Sequence, residues 1–304
     1  MSIEIVGPEI EAKLDWLALT RALEAGHGLP RAEVGDTLLQ RGGDTLLTRS
    51  AWIEGMGIAV KAATIYPENP KSGVPAINGA VTLFADADGC LEALVDFTVV
   101  TKWKTAGDSL LAALKLARKD AREILIVGAG PVALSMVEAY RSGIPGARFT
   151  VWARNDRAAG DFAEKTGARV AADLETAARR AEIIATATMA TAPVIRGDWL
   201  QPGTHLDLIG AYRPDMREVD DTAMRRARVF VDARVTTVHH IGELIDPIAS
   251  GAIREADVLG DFYDLSTGRF ARHGEDEITI CKNGGGAHLD LMTARYILGV
   301  ARGG

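Results

Sequence analysis

The chain has 304 residues, with 34 Lys and Arg against 41 Asp and Glu and a formal charge of −7. Apolar residues make up 47% and charged residues 25% with no long run of either sign, the usage of an ordinary globular protein, and the length suits two domains. Electrostatics give no reason to expect a nucleic-acid or membrane partner. Cys90 and Cys281 form no CxxC pair, which speaks against a disulfide framework or a zinc site. No apolar stretch reaches the roughly 18–20 residues of a membrane span. Met1-Ser2-Ile3-Glu4 lacks the basic and apolar regions of a signal peptide, so a cytoplasmic protein is expected.

The first part of the chain reads as a mixed α+β domain. Trp16, Leu17, Leu19 and Leu23 form an apolar stripe that predicts a helix over 14–25. Strand-like runs follow at 45–48, 58–64, 80–84 and 91–97, the last two joined by the hairpin signal Asp88-Gly89. A helix is expected to start at Asp108-Ser109, either of which caps it, with Leu110, Leu111, Leu114 and Ala117 on one side. Beyond residue 120 the pattern becomes strand, helix, strand, helix. Strands are expected at 124–127, 149–152, 183–186, 206–209 and 229–231, and helices at 132–141, 158–165 and 174–181, with Gly143 and Gly167 as C-terminal stops. Such alternation favours a parallel sheet covered on both faces. Residues 287–301 read as a helix that packs back on the first domain.

One motif stands out. Ile124-Leu-Ile-Val-Gly128-Ala129-Gly130-Pro131-Val132-Ala133 is a buried strand running into a glycine turn that opens a helix, the context of a dinucleotide site. Gly128 permits the turn, Gly130 lets backbone approach a pyrophosphate, and Ala133 stands where a third glycine often does. At the end of the next strand, Trp152-Ala153-Arg154-Asn155 carries no acid for a ribose 2′-hydroxyl, and Arg154 offers a guanidinium to a 2′-phosphate. NADP(H) is the favoured cofactor, with Asp156 a rival that keeps NAD(H) open.

Taken together, several segments resemble the ornithine cyclodeaminase/mu-crystallin family over nearly the whole chain. They are Gly57-Ile-Ala-Val-Lys61, Val74-Pro75-Ala-Ile-Asn-Gly79-Ala-Val-Thr-Leu-Phe84, Thr101-Lys-Trp-Lys104-Thr105-Ala106 and Val127-Gly-Ala-Gly130. Thr186-Ala187-Thr188, Ile209-Gly210-Ala-Tyr-Arg213-Pro214-Asp215-Met-Arg-Glu218, Lys282-Asn283-Gly284-Gly-Gly286 and Leu289-Asp290 complete the set. The resemblance implies an α/β protein: a substrate-binding and dimerisation domain of mixed α+β type over 1–117 and 287–304, and a doubly wound, Rossmann-type parallel sheet over 118–286. It implies a homodimer through the substrate domains and NAD(P)(H) chemistry on amino acids or their imines. Lys61, Lys104 and Thr105 become the expected catalytic residues. Gly128, Ala129, Gly130, Pro131, Val132, Arg154, Asn155, Thr186, Ala187, Thr188, Ile209, Gly210, Asn283 and Gly284 become the expected cofactor contacts. No metal is expected.

Departures from the family pattern narrow the reaction. Cyclodeaminases carry an aspartate in the turn where this chain has Tyr212, which argues against cyclisation of a diamine; Asp215 is close by, beyond a proline turn. Lys104 stands where the family usually has an arginine for the substrate carboxylate, keeping the charge and losing the bidentate fork. The family's other carboxylate arginine has no secure match, Arg31 and Arg41 being the candidates. Lys61, in an otherwise apolar strand, needs a partner or ligand if it faces inward, and the resemblance makes it a carboxylate contact that exchanges a proton at nitrogen.

Other features read as structural. His239-His240 with Glu243 lacks a third metal ligand and reads as a solvated helix start. Cys281 reads as a buried strand residue, the tryptophans as packing, and His288 as a minor candidate for proton donor. The reading is therefore an NAD(P)H-dependent reductase of an imino acid (ketimine or pyrroline/piperideine carboxylate type), or the reverse amino-acid dehydrogenase. Ornithine cyclodeaminase-type lyase chemistry and a non-catalytic, crystallin-like NADPH-binding protein are the alternatives.

Overall fold

The computed structural model describes residues 3–304. Two units emerge, Met1–Lys104 with Gly286–Gly304, and Thr105–Gly285. The first cut lies at Lys104/Thr105 and not at 117/118, because it falls inside a helix that starts well before Asp108.

Unit 1 contains β1 (Glu4–Val6), α1 (Trp16–His27), β2 (Glu33–Arg41), β3 (Asp44–Ile53), β4 (Gly57–Ile65), β5 (Ile77–Phe84), β6 (Leu91–Asp96) and the first turns of α2 (Phe97–Leu116). Its sheet has the order β1-β6-β5-β4-β3-β2, antiparallel except for β1 beside β6. Sequence periodicity misses β2, an almost wholly exposed edge strand with no clean alternation. It misplaces the start of α2 as well. Asp96 Oδ1 accepts the Val99 N–H at 2.8 Å and opens the helix there, while Asp108 and Ser109 lie buried inside it and cap nothing. The β-branched run Thr98-Val99-Val100-Thr101 hides this start from propensity. Trp16 and Trp103 stack with ring centroids 3.8 Å apart.

Unit 2 continues with β7 (Glu123–Val127), α3 (Pro131–Gly143), β8 (Arg148–Trp152), α4 (Asp156–Thr166), β9 (Arg169–Val170), α5 (Leu174–Arg180), β10 (Ile183–Thr186) and β11 (His205–Leu208). Then follow α6 (Asp221–Arg226), β12 (Ala227–Val231), α7 (Arg234–Thr237), α8 (Gly242–Ala249), β13 (Val258–Gly260) and β14 (Ile278–Lys282). The eight strands are all parallel, in the order β13-β12-β14-β11-β10-β7-β8-β9. From β7 the chain winds outward through β8 and β9, then returns to β10 on the other side. This reversal between β7 and β10 is the switch point at which doubly wound sheets bind ligands. Gly167 ends α4 in the left-handed region (φ +73°) as expected. Gly143, in contrast, is no such stop: it is the last residue of α3, and a Cβ there would lie 2.4 Å from a Leu110 methyl, so its smallness serves helix packing.

The last helix, α9 (Ala287–Ala301), belongs to unit 1 and packs on α1, β3 and β4. That places its nearly fully buried N-terminal half over the inward face of β4, where Gly57, Ala59, Lys61 and Ala63 alternate with more exposed neighbours.

Candidate active site

In unit 1 the alternation of β4 turns Lys61 into the protein, where its ammonium needs partners. It donates to Asp290 Oδ1 of α9 at 3.0 Å and to Thr101 Oγ1 of α2 at 2.8 Å, and it lies 4.7 Å from the centre of the Phe97 ring. Thr101 passes its own proton to the Phe97 carbonyl (2.7 Å), which leaves its lone pairs to Lys61. Lys104, seven residues after Phe97 on α2, donates to the other oxygen, Asp290 Oδ2, at 2.9 Å. Asp290 thus bridges two lysines that are 229 and 186 residues away in sequence. All three side chains are at most 8% exposed. Burial alone would raise the Asp290 carboxyl, but Lys104, Lys61 and Arg49 hold it below its ordinary value. Burial pulls the Lys104 ammonium down to about 8, with Asp290 opposing and Lys61 and Arg49 reinforcing the shift. Thr105, next in α2, is half-buried.

The arginine beside this cluster is neither Arg31 nor Arg41. Arg31 is exposed, and Arg41 sits at the tip of the β2–β3 hairpin, where it pairs with Asp44. Arg49 holds the position instead: β3 pairs it directly with Lys61, and its guanidinium bonds Asp36 at 3.0 Å. Sequence reading missed it, because the pairing depends on a tight turn at Glu54–Met56 that periodicity does not show. His288 is buried, sits edge-on to His27 at 5.3 Å, and is held far below its ordinary pKa by burial, His27 and Lys104. A neutral ring of this kind has no imidazolium proton to donate near neutrality.

In unit 2 the strand–turn–helix of the motif is built as the glycines require. Gly128 has φ +115°, and a Cβ there would meet the Ala187 carbonyl oxygen at 2.6 Å. Gly130 is the N-cap of α3 and opens on free space, with nothing within 4 Å of a Cβ position. No side chain caps α3, and Pro131 at its first position has no N–H to satisfy. The first-turn amides of Val132 and Ala133 therefore have no capping side chain. Across the switch point, Thr186 ends β10 with a buried hydroxyl that has no hydrogen-bond partner among the described residues. A glycine cradle, an uncapped helix start and an orphaned hydroxyl fit a dinucleotide.

The remaining expected contacts divide. Arg154 is exposed just beyond β8, and so is Asp156. The Asn155 side chain is occupied in capping α4, accepting the Ala158 N–H at 3.1 Å. Thr188 and Gly210 are tied together by a residue that sequence reading did not single out. Buried Glu218 accepts from Thr188 N (2.9 Å), Thr188 Oγ1 (2.7 Å), Gly210 N (2.9 Å) and Ala211 N (3.2 Å). It thereby fixes the turns after β10 and β11, with Ile209 donating to the Thr186 carbonyl at 3.0 Å. Asn283 is turned inward; its amide donates to Asp207 and to Ser109. Gly284 presses against Thr237, whose Oγ1 would lie 2.3 Å from a Cβ. Burial raises the Asp207 carboxyl to about 6, against hydrogen bonds from Tyr140, Ser109 and Asn283.

Glu243 is not part of a solvated helix start. It is fully buried and accepts the Glu218 and Val219 N–H groups at 2.7 and 3.0 Å; burial, then the charge of Glu218, push it up to about 7. His239 is exposed beside Glu255. Among the described residues no group of His, Cys, Asp and Glu is arranged to hold a metal ion, and no helix is long and apolar enough to cross a membrane. Tyr212 is 55% exposed, and Asp215 is paired with Arg213 at 2.8 Å, so no free carboxylate occupies this turn. A cavity of about 600 Å³ on the β7–β9 flank, lined by Thr150, Arg169, Asp173 and Arg180, contains none of the expected site residues.

A parallel sheet with a dinucleotide-type turn in one unit, and buried lysines around one carboxylate in the other, define a nucleotide-dependent oxidoreductase of small anionic substrates. The model of the ornithine cyclodeaminase/mu-crystallin family matches residues 49–304. The chain is 50% identical over 298 residues to a Δ1-pyrroline-2-carboxylate reductase of Paracoccus denitrificans, covering 96% of this chain and 94% of that protein. Δ1-Pyrroline-2-carboxylate reductase of Thermococcus litoralis, solved with NADH and L-proline, superposes with a TM-score of 0.87 at 26% identity, over 99% of this chain and 98% of that one. An archaeal alanine dehydrogenase dimer with bound NAD superposes with a TM-score of 0.88 at 25% identity, over 100% and 97%. The chain belongs to the ornithine cyclodeaminase/mu-crystallin family. It is an NAD(P)-dependent oxidoreductase acting on carbon–nitrogen bonds, a reductase of an imino acid or the reverse amino-acid dehydrogenase.

Proposed function

We propose that the protein reduces a cyclic, five-membered α-imino acid, Δ1-pyrroline-2-carboxylate, to proline in the cytoplasm, with NADPH preferred over NADH. The observation that carries the substrate class is the charge balance of the buried cluster. Lys61 and Lys104 share the single buried carboxylate of Asp290, leaving one positive charge for one substrate carboxylate. A second carboxylate on the substrate would be uncompensated in a buried site, at a cost of several kcal/mol. The net positive charge of this cluster orients the carboxylate, which holds the imine carbon in place for reduction. Unit 2 holds the dinucleotide through Gly128–Val132 and the Thr186–Thr188 and Ile209–Gly210 turns. The bound dihydronicotinamide supplies the hydride. The apolar residues Leu38, Leu39, Trp52 and Ile77, exposed on the unit 1 sheet, support a homodimer through that unit.

The experiment is a spectrophotometric assay of NADPH oxidation with Δ1-pyrroline-2-carboxylate, its six-membered homologue and a dicarboxylic imine. Turnover is expected to be fastest with the five-membered ring and negligible with the dicarboxylate. Ornithine with catalytic NAD+ should give no proline, since Tyr212 and the paired Asp215 provide no free carboxylate for the second amine. Redox-neutral proline formation would replace the reductase by a lyase.

Arg154 supports the cofactor preference. It is exposed beyond β8, no acid lies at the strand end, and a guanidinium–phosphate pair contributes about 1.5–3 kcal/mol. Arg154→Asp is expected to reverse the preference by roughly ten- to a hundredfold each way in kcat/KM, repelling a 2′-phosphate and accepting from a 2′-hydroxyl. Unchanged selectivity in the variant would hand the ribose to Asp156.

A further inference from the structure

We propose that Lys104, rather than Lys61, delivers the proton to the substrate nitrogen. The inference rests on the imino-acid reading above and adds a division of labour between two lysines that are otherwise alike.

Lys61 and Lys104 hold opposite oxygens of the same carboxylate, at 3.0 and 2.9 Å. One carboxylate balances one ammonium, so the second proton is kept against the charge of the first. The surroundings decide which lysine yields it. Lys61 donates to Thr101 and lies against the Phe97 ring, and a ring face rewards only the charged form. Lys104 is faced by Asp290 and His288 from α9, by Lys61 from β4 and by Arg49 from β3. His288 is neutral there, so Asp290 is its anionic neighbour, opposed by two cations. Burial and those cations bring its ammonium down to about 8, near the pH at which a general acid is most effective.

An α-imino acid carries its nitrogen and its carboxylate on one carbon. Two neighbouring ammoniums can therefore address both ends, Lys61 with Arg49 at the carboxylate and Lys104 at the nitrogen. As a hydride adds to the imine carbon, the C=N π pair moves to nitrogen and takes a proton from Lys104 Nζ. The imine is reduced to a secondary amine, the dihydronicotinamide is oxidised, and neutral Lys104 recovers its proton from solvent. In the reverse direction neutral Lys104 is the base.

The test compares wild type with Lys104→Arg, which keeps a cation but does not titrate in this range. Three readouts are used: kcat and KM over about pH 6–10, binding of the non-reducible planar analogue pyrrole-2-carboxylate, and the pH midpoint of acetic-anhydride labelling of Lys104 in cofactor-free protein. In wild type, kcat/KM for reduction should fall above about pH 8 and that for proline oxidation should rise, with the labelling midpoint at the same pH. In Lys104→Arg the limb should vanish and kcat should drop by about 10²–10⁴-fold, while analogue affinity changes by only a few fold. A variant kcat within about threefold of wild type, or a limb that persists in the variant, would overturn the proposal. If the variant fails to fold, the wild-type labelling decides: a midpoint at an ordinary lysine value overturns it. Should wild type reduce no imino acid at all, the substrate reading fails, and the labelling midpoint still reports on Lys104 independently.

Discussion

Asp290→Asn is expected to lower kcat/KM for the imino acid by about 10²-fold or more and to cost about 3–5 kcal/mol of stability. Asparagine keeps the shape of the bridge and removes its charge, leaving two buried ammoniums facing each other beside Arg49. Removing one partner of a buried ion pair is costly because the other charge stays desolvated. The chain has a partial escape, since Lys104 can shed its proton. Asp290 is the group that raises the Lys104 pKa, so its loss should move the alkaline limb of reduction below about 8. Kinetics over pH and urea denaturation measure both parts. Wild-type stability together with an unmoved limb would show that Asp290 does not organise the lysines.

This residue also shows where sequence reading stopped. The strand–helix alternation beyond residue 120, the glycine turn and the last helix were legible because each leaves a local pattern: period 2, period 3.6, or a strand running into glycine. Lys61 was legible as a charge in an apolar strand. Arg49 left no such trace and Asp290 entered only as part of the family resemblance, since an aspartate near a helix start and an arginine in a mixed strand have ordinary solvated uses. Their meaning depends on the register Arg49↔Lys61 and on α9 lying over β4, contacts between segments far apart in the chain. The role of Glu218, quoted only as part of a matched segment, was missed for the same reason: four donors from two turns converge on it, and only the order of strands in the sheet brings those turns together. Arg31 and Arg41 were plausible by sequence distance, but the unrecognised β2 and its hairpin carry Arg41 to an exposed tip.

The glycine turn makes the second strong expectation, because its two glycines are small for different reasons. Gly128→Ala should lose dinucleotide affinity by more than about 10²-fold and destabilise the fold by about 1–3 kcal/mol. Its backbone at φ +115° is strained for any L side chain, and the added Cβ would lie 2.6 Å from the Ala187 oxygen, pushing the turn after β10 away from β7. Gly130→Ala is different. At φ −87° and ψ −179° alanine is unstrained, and no protein atom lies within 4 Å of its Cβ. Replacing glycine by alanine at an N-cap costs about 1 kcal/mol or less. What the methyl would occupy is the space through which a pyrophosphate approaches the first amides of α3. Gly130→Ala should therefore keep its melting temperature and still lose about tenfold or more in NADPH affinity by fluorescence titration. Full affinity in Gly130→Ala would mean that the cofactor does not approach along this turn, whatever the fate of Gly128→Ala.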